Sequence, residues 1–138
     1  MPAPKRRPSE TTVLIVDDDA DGRRMYGEFL RSKGWTVFSA PDGRSGLDKA
    51  TDLKPDAIVL DLAMPRVDGW TVLKHLRESS WTNQIPIVVV SAVHDVRDEA
   101  MRTGADAYLA KPCAPDIVWM QINALLRMRH QRTSLAFS

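Results

Sequence analysis

Val13 to Asp19 reads VLIVDDD, and Ala57 to Pro65 reads AIVLDLAMP. Each is a run of apolar residues that stops on an aspartate. Ile87 to Ala92 (IVVVSA) and Ala107 to Pro112 (AYLAKP) repeat the pattern, with a serine and a lysine in the terminal place. A strand that is apolar along its whole length fits a parallel sheet covered by helices on both faces. In an open sheet of that kind the strands' carboxyl ends share one edge, and ligands bind there. Asp17, Asp18, Asp61, Ser91 and Lys111 are therefore expected to converge in one small space.

The segments between these runs support that reading. Ala20 to Lys33 has Met25, Tyr26, Phe29 and Leu30 at helical spacing, with Gly34 placed to end the helix. Trp35 to Phe38 reads as a short strand and Pro41-Asp42-Gly43 as a turn. Arg44 to Leu53 reads as a helix closed by Pro55. Met64 to Gly69 is a loop punctuated by Pro65 and Gly69. Trp70 to Ser79 is a helix with Val72, Leu73 and Leu76 inward, and Ile85 to Val90 is a strand. Asp95 to Thr103 is a polar helix ended by Gly104. Pro115 to Arg129 is the last helix, with Ile117, Val118, Ile122, Leu125 and Leu126 as its apolar stripe. Five strand-helix units with right-handed crossovers predict an α/β fold: a doubly wound five-stranded parallel sheet in the order 2-1-3-4-5, with helices on both faces.

The chain has 138 residues, 43% of them hydrophobic and 27% charged, which suits one globular domain. Residues 1–10 hold three prolines and Lys5-Arg6-Arg7 and are expected to form a flexible basic tail; 11–130 form the domain, and 131–138 a fraying C-terminal tail. The formal net charge of +1 gives no general attraction to nucleic acid or membranes. The single cysteine, Cys113, has no internal disulfide partner. No apolar stretch reaches the length of a membrane span, and no signal peptide is visible. A cytoplasmic protein is expected.

Three carboxylates brought within a few ångströms repel one another and need a cation. Carboxylate oxygens are hard ligands and no His-Cys cluster is present, so Mg²⁺ or Mn²⁺ is the expected ion. Asp19 is equally well explained as a plain helix cap; that explanation does not extend to Asp61. A metal, an amine from Lys111 and a hydroxyl from Ser91 suit a phosphoryl group, with a carboxylate as acceptor. Asp61 is the central carboxylate and the best candidate.

At this point the chain resembles the receiver domain of two-component response regulators. The motifs run from about Thr12 to Arg129 in the family's order: VDD after the first strand, D-x-x-M-P-x-x-D-G around the third, S-A after the fourth and K-P after the fifth. The resemblance implies that Asp61 is the phosphoacceptor. It implies that Asp18 ligates Mg²⁺ directly, that Asp17 holds the ion through water, and that the Ala63 carbonyl is a backbone ligand. Ser91 would bind the phosphoryl oxygen and Lys111 would pair with the phosphate. The Lys111-Pro112 bond would be cis, and Tyr108 would be the switch aromatic that responds to movement of Ser91.

Ala63 and Val93 depart from the commoner pattern of polar side chains beside the site, which predicts slow self-dephosphorylation. Cys113 stands where a phenylalanine often follows K-P and reads as a small filler. Trp119 and Met120 are either a partner surface or packed against a neighbouring helix. The expected function is a phosphorylation-activated switch, charged by a sensor histidine kinase or a histidine phosphotransfer protein and not a turnover enzyme. The expected downstream partner is a protein docking on the face of the fourth helix, fifth strand and fifth helix. Nucleic acid and membrane are not expected partners, and the state is expected to be a monomer or a phosphorylation-dependent dimer. The alternative function is an unphosphorylated receiver-like scaffold. A haloacid-dehalogenase-type phosphatase would need an aspartate where Ala63 stands, and a flavodoxin-like cofactor site would not place acids in its phosphate loop.

Overall fold

The computed structural model describes residues 10–64 and 66–136, with side chains as far as Gln131. The expected basic tail lies outside the described residues except for Glu10, as does Pro65. The chain alternates strand and helix throughout: β1 Thr12–Val16, α1 Ala20–Ser32, β2 Thr36–Ala40, α2 Gly43–Leu53, β3 Ala57–Leu60, α3 Gly69–Glu78, β4 Ile87–Ser91, α4 Arg97–Thr103, β5 Ala107–Ala110 and α5 Pro115–Ala136. All strand pairs are parallel, in the order β2-β1-β3-β4-β5. This is the predicted topology.

The apolar strands divide their side chains between two cores, following the period of two in a pleated strand. Leu14, Val16, Ile58, Leu60, Ile87 and Val89 face the layer of α2, α3 and α4. Val13, Ile15, Val59, Val88 and Val90 face α1 and α5, where they meet Tyr26, Leu30, Val118 and Ile122. Three helices are capped by aspartates. Asp19, Asp42 and Asp68 accept hydrogen bonds from the backbone N–H groups of Asp21, Ser45 and Thr71 at 3.2, 2.8 and 2.8 Å. Each cap fills an orphan donor of the first helical turn.

Several boundaries differ from the sequence reading, each for a local reason. β4 begins at Ile87, because the Ile85 N–H closes a turn onto the Thr82 carbonyl and Pro86 has no N–H to give the ladder. α4 begins at Arg97, because Asp95 is left-handed with φ 59°. α5 continues past Arg129 to Ala136, since no glycine or proline interrupts that segment. Ile117, expected in the inward stripe, is exposed, whereas Val118 and Ile122 are fully buried.

Trp119 packs on the α1 side. Its ring lies 6.4 Å from that of Trp35, and the Lys33 ammonium sits 4.8 Å from the Trp119 centroid and 5.4 Å from that of Phe29. Met120, next in sequence, is exposed. Trp81 is exposed on the α3–β4 connection and carries Lys54 over its ring at 4.7 Å.

One side chain ties the amino edge of the sheet together. The Arg77 guanidinium donates to the carbonyls of Gly104 (2.8 Å), Ile85 (2.7 Å) and Asn83 (3.2 Å), and to the Asp106 carboxylate at 2.7 Å. Asp106 also accepts the Ile87 N–H at 2.8 Å. Only the planar, multi-donor guanidinium satisfies this set. Gly104 leaves it room, since its φ of 131° disfavours any side chain and a Cβ there would meet Arg77 Cγ at 2.5 Å. Arg77→Ala is expected to lower stability by about 2 kcal/mol through its stranded carbonyls, and Arg77→Lys to recover only part of the loss. Urea unfolding of the three proteins checks this.

Candidate functional site

The carboxyl edge is assembled by backbone bonds between successive strand ends. The Asp17 N–H donates to the Ala40 carbonyl at 3.1 Å, the Asp61 N–H to Val16 at 3.0 Å and the Lys111 N–H to Ser91 at 2.9 Å. Each residue that follows a strand is thereby held one step above the sheet. Asp17 and Asp61 are both buried, with side chains 5% and 7% exposed, while Asp18 on the neighbouring loop position is exposed.

One ammonium joins two of these carboxylates. Lys111 Nζ lies 3.1 Å from Asp17 Oδ2 and 3.2 Å from Asp61 Oδ2. The other oxygens are held by the local backbone: Asp17 Oδ1 accepts the Asp19 N–H at 2.9 Å and Asp61 Oδ1 the Ala63 N–H at 3.0 Å. The Lys111-Pro112 peptide that delivers the lysine is cis. Carboxylate oxygens of Asp17, Asp18 and Asp61 lie within 4.8 Å of one another. Three acids against one ammonium leave the cluster short of positive charge.

The electrostatics follow from burial. Burial raises the pKa of Asp61 above its ordinary value; the Ala63 N–H and Lys111 oppose that rise, and the Asp17 charge adds to it. Burial disfavours the Lys111 ammonium, but the hydrogen bonds and charges of Asp17 and Asp61 outweigh it and raise the lysine pKa. The amine is firmly cationic at neutral pH.

Ser91, at the end of β4, is fully buried. Its Oγ accepts the Val93 N–H at 3.2 Å, which leaves the hydroxyl proton free to be donated. Tyr108 is half-buried, and its hydroxyl donates to the Val93 carbonyl at 2.5 Å. Ser91 and Tyr108 therefore grip the same residue of the β4–α4 loop. The Ala63 side chain is exposed and that of Val93 half-buried beside them. Asp19 serves as the cap of α1.

Two neighbours went unread in the sequence. Arg23 Nη1 donates to the Asp17 carbonyl at 2.8 Å, and the Tyr26 hydroxyl to the Cys113 carbonyl at 2.8 Å. Both act on backbone oxygens, for which residue type and spacing give no signal. Cys113 is half-buried, and burial raises its thiol pKa, with the Asp116 charge adding to the rise.

This geometry has a family. The model of the response regulator receiver domain matches residues 13–123. The chain belongs to that family. Receiver domains are signalling modules that bind Mg²⁺, and the acidic cluster of this receiver is Asp17, Asp18 and Asp61. It is 42% identical over 123 residues to the transcriptional regulatory protein PrrA of Mycobacterium leprae, covering 88% of this chain and 52% of the relative. It is 38% identical over 117 residues to the DNA-binding dual master transcriptional regulator RpaA of Synechocystis, covering 83% of this chain and 48% of the relative. The chain thus spans about half the length of the curated relatives it matches. Among solved structures it resembles the Vibrio cholerae chemotaxis protein CheY4, with TM-score 0.78 and 30% identity over 84% of this chain and 98% of that one. It also resembles the receiver domain of Francisella response regulator 1452, with TM-score 0.80 and 29% identity over 87% and 99% of the two chains.

The relatives correct the expected set of partners. The expectation was a protein partner on the face of α4, β5 and α5, with nucleic acid excluded on the net charge of +1. The relatives are named as transcriptional regulators, and the Synechocystis one as DNA-binding. They are about twice as long as the matched segment. A receiver's own charge carries no information about an output segment beyond it, so the exclusion of nucleic acid does not hold. For the membrane, no helix among the described residues is long and apolar enough to cross one.

The raised pKa of Asp61 has a measurable consequence. An acid whose pKa is higher in the folded chain holds its proton longer there. Stability then falls as pH rises from the ordinary value of 3.8 through the raised one. Above that interval the penalty is complete. Asp61→Asn removes the buried charge, so without Mg²⁺ at pH 7 the variant is expected to be more stable, by on the order of 1 kcal/mol. The two urea midpoints are expected to converge as pH falls below 3.8.

Proposed function

We propose that the chain is a phosphorylation-activated receiver that accepts one phosphoryl group on the Asp61 carboxylate. The donor is the phosphohistidine of a sensor kinase or phosphotransfer protein, or a small acyl phosphate. A carboxylate oxygen forms the new bond to phosphorus, and the donor's P–N or P–O bond breaks with its electron pair leaving on the donor. The observation that carries this reading is the Lys111 ammonium shared between the buried Asp17 and Asp61 carboxylates at 3.1 and 3.2 Å. It is a cation already seated where anionic charge will accumulate.

Asp17, Asp18 and Asp61, with the carbonyl of Ala63, are the residues that would hold Mg²⁺ or Mn²⁺. The oxygen-only donor set and its surplus negative charge fit such an ion. The bound ion supplies neutralisation of the carboxylates and of the incoming phosphoryl oxygens. Lys111 exchanges a carboxylate oxygen for a phosphoryl oxygen, and Ser91 donates its spare hydroxyl proton to another. A new group of about −2 charge draws both inward. Ser91 holds the Val93 N–H and Tyr108 the Val93 carbonyl, so movement of one is felt by the other and by the loop leading to α4. The reaction is the protein's own modification in the cytoplasm, not turnover of a substrate. The names of the relatives support control of transcription as the output of the longer protein.

Incubation with Mg²⁺ and acetyl phosphate, read by intact mass, is expected to add one phosphoryl group to the wild type and none to Asp61→Asn. Equal gain in both would refute the acceptor, and gain in neither would favour a scaffold.

The phosphoryl group is also expected to be long-lived. The side chains of Ala63 and Val93 cannot hydrogen-bond an attacking water. Ala63→Asn is expected to shorten the lifetime by roughly tenfold or more; an unchanged decay would show that these positions do not limit hydrolysis.

A further inference from the structure

Gly69, the glycine that closes the motif around β3, brings no side chain to the site. Its place is nonetheless fixed by Asp61. A Cβ on Gly69 would lie 2.2 Å from the Asp61 carbonyl oxygen and 2.3 Å from Leu62 Cα. These are backbone atoms, so no side-chain rotation relieves the contact. The backbone of Gly69 is not in the left-handed region; space alone demands glycine here. The Gly69 N–H donates to the Leu62 carbonyl at 3.0 Å, and the Asp68 carboxylate caps the same first turn of α3 at Thr71. The first residue of α3 is thus seated directly on the peptide that carries the reactive carboxylate.

The far side of the β3–α3 loop is held differently. Gly43 opens α2, and a Cβ there would meet the Val67 carbonyl at 2.4 Å. That contact clasps the loop several residues from Asp61. Only the Gly69 contact reaches the residue whose side chain must meet both the Ala63 N–H and Lys111.

We propose that Gly69 is a positioning residue for phosphoryl transfer. By letting α3 rest on the Asp61–Leu62 backbone, it fixes where the Asp61 carboxylate stands relative to Lys111 and the acidic pair. The inference rests on Asp61 being the phosphoacceptor. A side chain at Gly69 must displace that backbone by about an ångström, a shift that costs roughly 100-fold in a reaction dependent on alignment.

The test compares the wild type, Gly69→Ala, Asp68→Ala and Val72→Ala across acetyl phosphate concentrations with Mg²⁺, read by intact mass, with folding followed by circular dichroism. Gly69→Ala is expected to lower the maximal rate roughly 10- to 100-fold, with the half-saturating concentration unchanged. Asp68→Ala loosens the same turn without adding atoms and is expected to slow the reaction by a smaller factor. Val72→Ala removes buried volume from the same helix without touching the Gly69 seat, at a side chain that packs toward Gly43 of α2. It is expected to lower the melting temperature but keep the wild-type rate wherever it is folded. Should Gly69→Ala not fold, the contrast between Asp68→Ala and Val72→Ala decides. Wild-type rates in folded Gly69→Ala or in Asp68→Ala overturn the proposal, as does an equal loss in Val72→Ala. A wild type that takes no phosphoryl group removes the acceptor assignment itself and the proposal with it.

Discussion

The site depends on one lysine at the end of an edge strand. Lys111 leaves β5, the outermost strand on its side, and reaches the buried carboxylates that follow β1 and β3. Without it, two carboxylates with almost no access to water would face each other with no charged partner, a costly arrangement. With it, three strand ends are tied across the sheet by charge as well as by the backbone ladder. The same contact keeps the pocket short of positive charge, since one ammonium is divided between two acids with a third nearby.

The remaining geometry supports that balance. Asp17 and Asp61 each give one oxygen to a backbone N–H and one to Lys111. Both side chains are therefore held at two points. Ser91 stands apart, its oxygen occupied by the Val93 N–H rather than by the acids. The resting structure separates the acids and Lys111, joined to one another, from Ser91 and Tyr108, which are tied to the β4–α4 loop. Arg77 holds the opposite end of β4 and the α4–β5 turn.

Much of this was legible in the sequence because topology did the placing. Asp17, Asp18, Asp61, Ser91 and Lys111 each follow an apolar run, and a parallel sheet in the order 2-1-3-4-5 brings those positions to one edge. What escaped was decided by long side chains finding distant backbone oxygens, as with Arg77, Arg23 and Tyr26. Trp119 was ambiguous because its inward partner, Trp35, comes from another element. The end of α5 was set too early because a polar, pattern-free segment can still be helical when nothing in it breaks a helix. Gly69 was legible as a loop residue but not as a seat for Asp61, since that depends on a packing distance.

The length of α5 has a mechanical meaning. Its 22 residues make a rod about 33 Å long, while the strand beside its root has four residues. The described side chains from Arg127 to Gln131 are exposed, whereas Val118 and Ile122 are fully buried and Leu125 and Leu126 pack against the same core. The near part of the rod is gripped on the α1 side through Trp119, Trp35 and Lys33. More than half of the helix, Pro115 to Leu126, is therefore seated on the sheet, and the rest continues the same axis. A tilt of about 5° of a rod this long moves its two ends about 3 Å relative to each other across the axis, so a slight change in how the helix sits on the sheet becomes a displacement the size of an atom along its length.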